Sequence, residues 1–281
     1  MSQLVSVIIP TYNRPDQLHQ AVSSALSQTH TEVEVIVVND GGAIEPLGEL
    51  FHEYPEIAIH HLESKAGVSK ARNVGIDLAR GDYLVFLDDD DLLAPDYLAS
   101  AVQEIGQADI LIAAGSVVGD LSSIHFQRVA AYNDWLDQTY AHRLTSHWGF
   151  FLQYMPPIFS MLFKRSVFDS SRFNEQMHYG EDRELLLRLR STKTFERSPL
   201  HSGTYNVRSS EEVAPLLDFT EAIRSLVDSR RGRSYISLLE AYYWFSRRKR
   251  WRAVRSIVTS LQSPYVVVKQ FLLFLRLNLL R

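Results

Sequence analysis

Five short β-rich apolar runs, each separated from the next by a longer stretch with helical spacing, fill the first 120 residues, and this alternation restricts the chain more than any other feature. Repeated βα units build a mainly parallel sheet with helices on its faces, an α/β fold. The pattern predicts strands at Val5 to Pro10, Val33 to Asn39, Ile57 to Leu62, Tyr83 to Leu87 and Asp109 to Ala114. Helices are predicted from Pro15 onward, at Pro46 to Tyr54, Val68 to Ala79 and Pro95 to Ile105. In the first of these, Pro15 and Asp16 suit an opening turn, and Leu18, Ala21, Val22, Ala25 and Leu26 recur at helical steps. Right-handed crossovers put the C-terminal ends of the strands along one edge, where open α/β sheets bind ligands.

Composition narrows the classes further. With 281 residues, 46% of them hydrophobic and 22% charged, the chain is long and apolar enough for one large domain with an appendage, or two domains, and disorder is excluded. The absence of cysteine excludes disulfides, thiolate zinc sites, iron-sulfur clusters and cysteine nucleophiles. Met1-Ser2-Gln3-Leu4 runs straight into the first apolar segment without a basic region, so no export signal is expected and a cytoplasmic location follows. The net charge of -4 conceals a division. Residues 1–223 hold 16 Lys/Arg against 31 Asp/Glu, whereas residues 224–281 hold 13 against 2. Two regions with different partners are implied.

Asp88-Asp89-Asp90-Asp91 follows the fourth predicted strand directly. Four carboxylates at one strand end repel one another unless a cation joins them, and Mg²⁺ or Mn²⁺ takes oxygen ligands and often keeps phosphate oxygens as partners. A metal-diphosphate site is one reading, and an acidic strand-to-helix turn capped by Asp91 is the other. Three more segments favour the first. Pro10-Thr11-Tyr12-Asn13-Arg14 ends the first strand with a hydroxyl and a guanidinium that could meet a nucleotide. Asn39-Asp40-Gly41-Gly42 ends the second, where Asp40 could accept the imide N–H of uracil or serve as an Asx turn. Gly67 to Gly75 opens a helix with Arg72 and Asn73 about one turn in, and Arg72 could serve a phosphate, orient the acids or be solvated.

In order and spacing, Val7 to Arg14, Val37 to Gly41, Ala71 to Gly75 and Phe86 to Asp91 resemble the N-terminal half of family 2 glycosyltransferases, inverting enzymes with the GT-A nucleotide-sugar fold. The resemblance covers roughly residues 4–210. It implies a donor set of Pro10, Thr11, Tyr12, Asn13, Arg14, Asp40, Lys65, Arg72, Asp88 and Asp89, with Asp40 on the uracil side. It also implies a divalent cation, Mn²⁺ or Mg²⁺, held by Asp90 with Asp88. The acidic pair in Gly180-Glu181-Asp182-Arg183 matches the family's base motif, which makes Asp182 the expected base, with Glu181 as understudy. Both acids also suit a helix N-terminus. Many relatives carry Asn at the position of Lys65, which could contact a phosphate or be a solvated loop residue, and their tyrosine-arginine-x-histidine segment is here Tyr205-Asn206-Val207-Arg208; Arg208 or His201 could replace the missing histidine.

The expected organisation is a GT-A domain over 1–215, divided into a nucleotide-sugar half (1–120) and an acceptor half (121–215), followed by a basic helical extension over 216–281. Phe126, Tyr132, Trp135, Tyr140, Trp148, Phe150, Phe151, Tyr154 and Phe159 crowd the acceptor half and suit either a saccharide or lipid-linked acceptor or a core. A returning strand is expected at Phe159 to Lys164 and a helix at Glu181 to Arg190. In the extension, Arg230-Arg231-Gly232-Arg233 and Arg247-Arg248-Lys249-Arg250-Trp251-Arg252 precede an amphipathic stretch after Pro264. An anionic membrane surface attracts each basic residue near it by about 1 kcal/mol, so peripheral docking is expected, against packing on the domain or a homodimer. No nucleic-acid module is present. A metal-dependent nucleotidyltransferase and a non-catalytic nucleotide-sugar-binding protein are the competing functions.

Overall fold

The valine- and isoleucine-rich runs become the centre of an eight-stranded sheet of order β3-β2-β1-β4-β7-β6-β8-β5. Its strands are β1 (Val5–Thr11), β2 (Val33–Asn39), β3 (Ala58–His61), β4 (Tyr83–Phe86), β5 (Leu92–Leu93), β6 (Ile110–Gly119), β7 (Met161–Lys164) and β8 (Phe195–Val207). The helices are α1 (Pro15–Leu26), α2 (Glu45–Glu53), α3 (Val68–Leu78), α4 (Tyr97–Glu104) and α5 (Glu181–Leu189). This computed structural model describes residues 3–119, 157–177, 179–207 and 236–237. Outside them lie Arg208, the basic extension apart from Ile236 and Ser237, and the expected aromatic segment up to Tyr154.

β1 to β4 are mutually parallel, and every residue of β1 and β4 is buried, as strands covered on both faces require. β7 runs antiparallel between β4 and β6, and β8 lies parallel to β6, so the sheet is mixed but mostly parallel. Leu18, Ala21, Val22 and Ala25 of α1 and Leu98 and Ala101 of α4 are fully enclosed in the same core as Val7, Ile9, Val85 and Leu111. Burying one such large aliphatic side chain contributes about 1.5–3 kcal/mol. Phe86 adds edge-to-face contacts with Phe163, Phe168 and Phe173, with ring centroids 5.7, 5.4 and 5.0 Å away.

Register places the site. Val5 pairs with both Val33 and Tyr83, so β1, β2 and β4 point the same way and start in step. β1 continues three residues beyond Ile8, its last partner in β4. Extending that register sets Asp89 beside Thr11.

Several expectations shift. The helix expected from Pro95 starts at Tyr97, and Asp91 caps nothing: two residues of β5 follow it. The returning strand starts at Met161, after a 3-10 turn over Ile158–Ser160, and the strand expected at Asp109 to Ala114 runs as β6 to Gly119. β5 and β8 carry no clear sequence signal. Pro199 and Gly203 interrupt the alternation of β8, whose register against β6 slips at Ile112/Ala114 and Ala114/Ser116.

The described residues fall into two compact units: 3–119, 157–177 and 189–207 in one, and 179–188 with 236–237 in the other. The second holds the start of α5. Its first turn carries Glu181, Asp182 and Glu184, which suits the positive end of the helix dipole, and Glu184 pairs with Arg188 at 2.6 Å. Among the described residues no helix is long and apolar enough to cross a membrane.

Candidate active site

The end of β2 is a closed carboxylate clamp. Asp40 is buried, and its Oδ1 accepts the backbone N–H groups of Ala66 (2.7 Å) and Gly67 (3.1 Å) while Oδ2 accepts that of Gly67 (2.9 Å). Its own N–H donates to the Thr11 carbonyl at 2.9 Å. Counting two acceptor positions per oxygen, one position on Oδ2 is left for a ligand N–H. The clamp needs Gly41. At a φ of +75° it sits in the left-handed region, and any side chain there would run into the Ser64 and Lys65 backbone. The loop thus brought in carries Lys65, whose Nζ lies 4.0 Å from the centre of the exposed Tyr12 ring. Asn13, expected at the donor, braces this region: its Oδ1 accepts the Ala43 N–H at 2.8 Å, and it holds a φ of 55°.

The end of β4 is built from charge. Thr11 Oγ1 donates to Asp89 Oδ2 at 2.8 Å, as the register requires, and Arg14 Nη1 donates to Asp89 Oδ1 at 2.9 Å. Arg14 also reaches to within 3.5 Å of Asp90 Oδ2. Arg72, buried and stacked 5.3 Å from the Phe173 ring, donates to Asp88 Oδ1 at 2.6 Å. Asp91 turns inward. Its Oδ1 accepts the Asn206 N–H at 2.9 Å, and the Asn206 side-chain amide donates to the Asp90 carbonyl, fastening the loop to β8. The more open carboxylates are Asp88 and Asp90, with side chains 33% and 19% exposed, against 6% for Asp89.

These surroundings move two titrations. Burial opposes the charge on Arg14, but its hydrogen bond to Asp89 and the charges of Asp89, Asp90 and Asp88 outweigh that and hold the guanidinium above its ordinary pKa. For Asp91, burial and then the Asp88 charge push the carboxyl well above the usual range, against the Asn206 hydrogen bond.

Among the described residues no three His, Asp or Glu side chains converge into a ready metal cage. The donor set is nonetheless all oxygen, and its two more open carboxylates, Asp88 and Asp90, lie two residues apart on one loop. That fits a hard cation taking one or two protein ligands and the rest from a diphosphate and water. Asp90 with Asp88 would hold it.

One unit therefore brings together Pro10, Thr11, Tyr12, Asn13, Arg14, Asp40, Lys65, Arg72, Asp88, Asp89 and Asp90 at adjoining strand ends and loops. Glu181 and Asp182 belong to the other; Glu181 is buried, and Asp182 Oδ1 accepts the Arg183 N–H at 2.7 Å. His201 is engaged with the Ser116 hydroxyl at 2.7 Å. Two residues outside the expected set matter: Asn206, described above, and Asn73. The buried Asn73 amide pairs with both the N–H and the C=O of Phe173 at 2.9 Å and reaches Glu175 at 3.0 Å.

A mostly parallel sheet with a carboxylate clamp and an acidic loop at adjoining strand ends defines a nucleotide-sugar fold of the GT-A class. Solved structures share it: TarS 1-349 of Staphylococcus aureus in complex with UDP-GlcNAc has a TM-score of 0.63 at 19% identity, covering 86% of this chain and 73% of that one. The mannosyltransferase PcManGT of Pyrobaculum calidifontis, in complex with GDP-Man and Mn²⁺, also has a TM-score of 0.63, at 14% identity, covering 100% and 81%. The profile of glycosyl transferase family 2 matches residues 6–171, and the chain belongs to that family. Among curated relatives, the glycosyltransferase GlyG of Streptococcus pneumoniae is 26% identical over 193 residues, 65% of this chain and 64% of GlyG. The uncharacterized glycosyltransferase YwdF of Bacillus subtilis is 36% identical over 115 residues, 41% of this chain and 42% of YwdF. The alignments thus span less than two thirds of these relatives' lengths.

Proposed function

We propose that this chain is an inverting glycosyltransferase that moves a sugar from a nucleotide-sugar, a UDP-sugar by preference, to a hydroxyl of a saccharide or lipid-linked acceptor in cell-envelope polysaccharide or glycolipid synthesis. The observation that carries the reading is the pairing, through Thr11, of the Asp40 clamp at the end of β2 with the acidic loop at the end of β4. The UDP-GlcNAc in the TarS complex and the GDP-Man and Mn²⁺ in the PcManGT complex support it.

In this reading the remaining acceptor position of Asp40 takes the imide N–H of the base, which uracil offers and guanine and thymine share. Tyr12 gives the base a ring to lie on once Lys65 moves aside. Lys65 and Arg14 then meet the diphosphate, and Arg72 keeps Asp88 in place beside it. Asp90 and Asp88 would hold a divalent cation, which would supply positive charge at the departing diphosphate. Asp182 takes the proton of the acceptor hydroxyl as its oxygen bonds to the anomeric carbon and the bond from that carbon to the diphosphate oxygen breaks. One such displacement inverts the anomeric configuration and releases the nucleoside diphosphate.

The test is the full chain with Mn²⁺ and a panel of UDP-, GDP-, dTDP- and CDP-sugars, read by nucleoside diphosphate release with and without saccharide acceptors. Transfer or slow hydrolysis with a UDP-sugar is expected, and Asp182→Asn should lower turnover by about 10²–10⁴-fold while leaving donor affinity within about threefold. No release from any donor, or release of pyrophosphate from a triphosphate, would contradict the proposal. The charge of residues 224–281 supports a second contact, with an anionic membrane. Removing them should reduce binding to anionic vesicles far more than binding of UDP.

A further inference from the structure

Two guanidinium groups face the acidic loop, and they are held differently. Arg72 is fixed: its side chain is 3% exposed and makes one short bond to Asp88. Arg14 is 42% exposed; its backbone is tied down through the Leu18 N–H donated to its carbonyl at the start of α1, and its side chain is anchored at one nitrogen. Its Nη1 bonds Asp89, which Thr11 holds from the other side, and stands 3.5 Å from Asp90 Oδ2, beyond a normal charge-assisted hydrogen bond. The guanidinium can therefore swing off Asp90 by exchanging its Asp89 bond for a new partner, while Thr11 keeps Asp89 and Asn206 keeps the loop backbone in place.

We infer that Arg14 is the resident counter-ion of the acidic loop, competing with a divalent cation for Asp90 in the empty protein and turning to the donor's diphosphate in the loaded one. The inference rests on Asp90 as the metal-holding residue proposed above. A guanidinium and a dication on the same carboxylate repel each other strongly where protein partly excludes water. A diphosphate removes the conflict, because its oxygens satisfy both cations and match the flat guanidinium fork. The metal alone then binds weakly, and metal with nucleotide binds well.

The experiment is a Mn²⁺ titration of the full chain, read by the electron paramagnetic resonance signal of free Mn²⁺, without and with UDP, on the wild type, Arg14→Gln and Arg14→Lys. Arg14→Gln should take up Mn²⁺ about tenfold more tightly than the wild type without UDP, yet bind UDP about tenfold more weakly at saturating Mn²⁺. Arg14→Lys, which keeps the charge, should leave Mn²⁺ uptake weak. Opposite shifts for the two ligands are the signature of competition, since a loop that had merely lost a brace would weaken for both. Mn²⁺ uptake by Arg14→Gln no tighter than wild type overturns the inference alone. A wild-type chain that takes up no Mn²⁺ even with UDP overturns the metal-diphosphate reading and the competition with it.

Discussion

The ends of β2 and β4 both place carboxylates at the same sheet edge, but they use them differently. Asp40 at β2 is buried and spends three of its four acceptor positions on backbone N–H groups, so it helps to build the loop it sits in. Around Asp88 and Asp90 at β4, two guanidinium groups stand in a crowd of four acids, and burial leaves Asp91 with a strongly raised pKa. One end is satisfied by backbone N–H groups; the other sets four acids against two guanidinium groups. A like-charge cluster kept at a cost to stability is the expected signature of a binding site.

That contrast can be broken by mutation. The largest effect expected is on turnover: Asp90→Asn should lower nucleotide-sugar turnover by about 10²–10³-fold, through loss of charge stabilisation at the leaving group, while leaving the melting temperature unchanged or higher. Thermal melts beside the assay check both halves, and a lower melting temperature would erase the distinction between the two ends. Asp40→Ala should behave oppositely in stability, losing about 1–3 kcal/mol because the Ala66 and Gly67 N–H groups lose a charged acceptor. Urea denaturation measures it.

A smaller effect lies at the opposite edge of the sheet, where nothing is expected to bind. Burial opposes the charge of Glu34, but the Ser6 hydroxyl and the Arg80 N–H and guanidinium overcome that and hold its carboxyl below the ordinary value of 4.5. Its folded pKa is lowered, so its contribution is present above pH 4.5 and fades as pH falls through the folded value. Glu34→Gln should flatten that part of the stability profile, measured by denaturation at stepped pH, without changing nucleotide affinity.

The sequence made the βα half legible because its code is local: alternating apolar residues, a proline at a helix start and acids at a strand end. α1 begins at the expected Pro15, and β2 matches its expected span. β8 stayed hidden because its order comes from pairing with β6 and not from alternation of its own residues. At the site, residue types were readable and partners were not. Asp40 was visible, but its clamp depends on a loop more than twenty residues on, and Asn73 and Asn206 act on groups 100 and 116 residues away. Asn13 and Asp89 were visible in their motifs, but the protein partners that hold them, Ala43 for the first and Thr11 and Arg14 for the second, were not.

The central claim is that the acidic loop at β4 completes its charge balance only with a metal-bound nucleoside diphosphate. Calorimetric titration of UDP into the full chain, with and without Mn²⁺, tests it most directly. Mn²⁺ should tighten UDP binding by about tenfold or more, equivalent to about 1.4 kcal/mol. Equal affinity in the two titrations would contradict it.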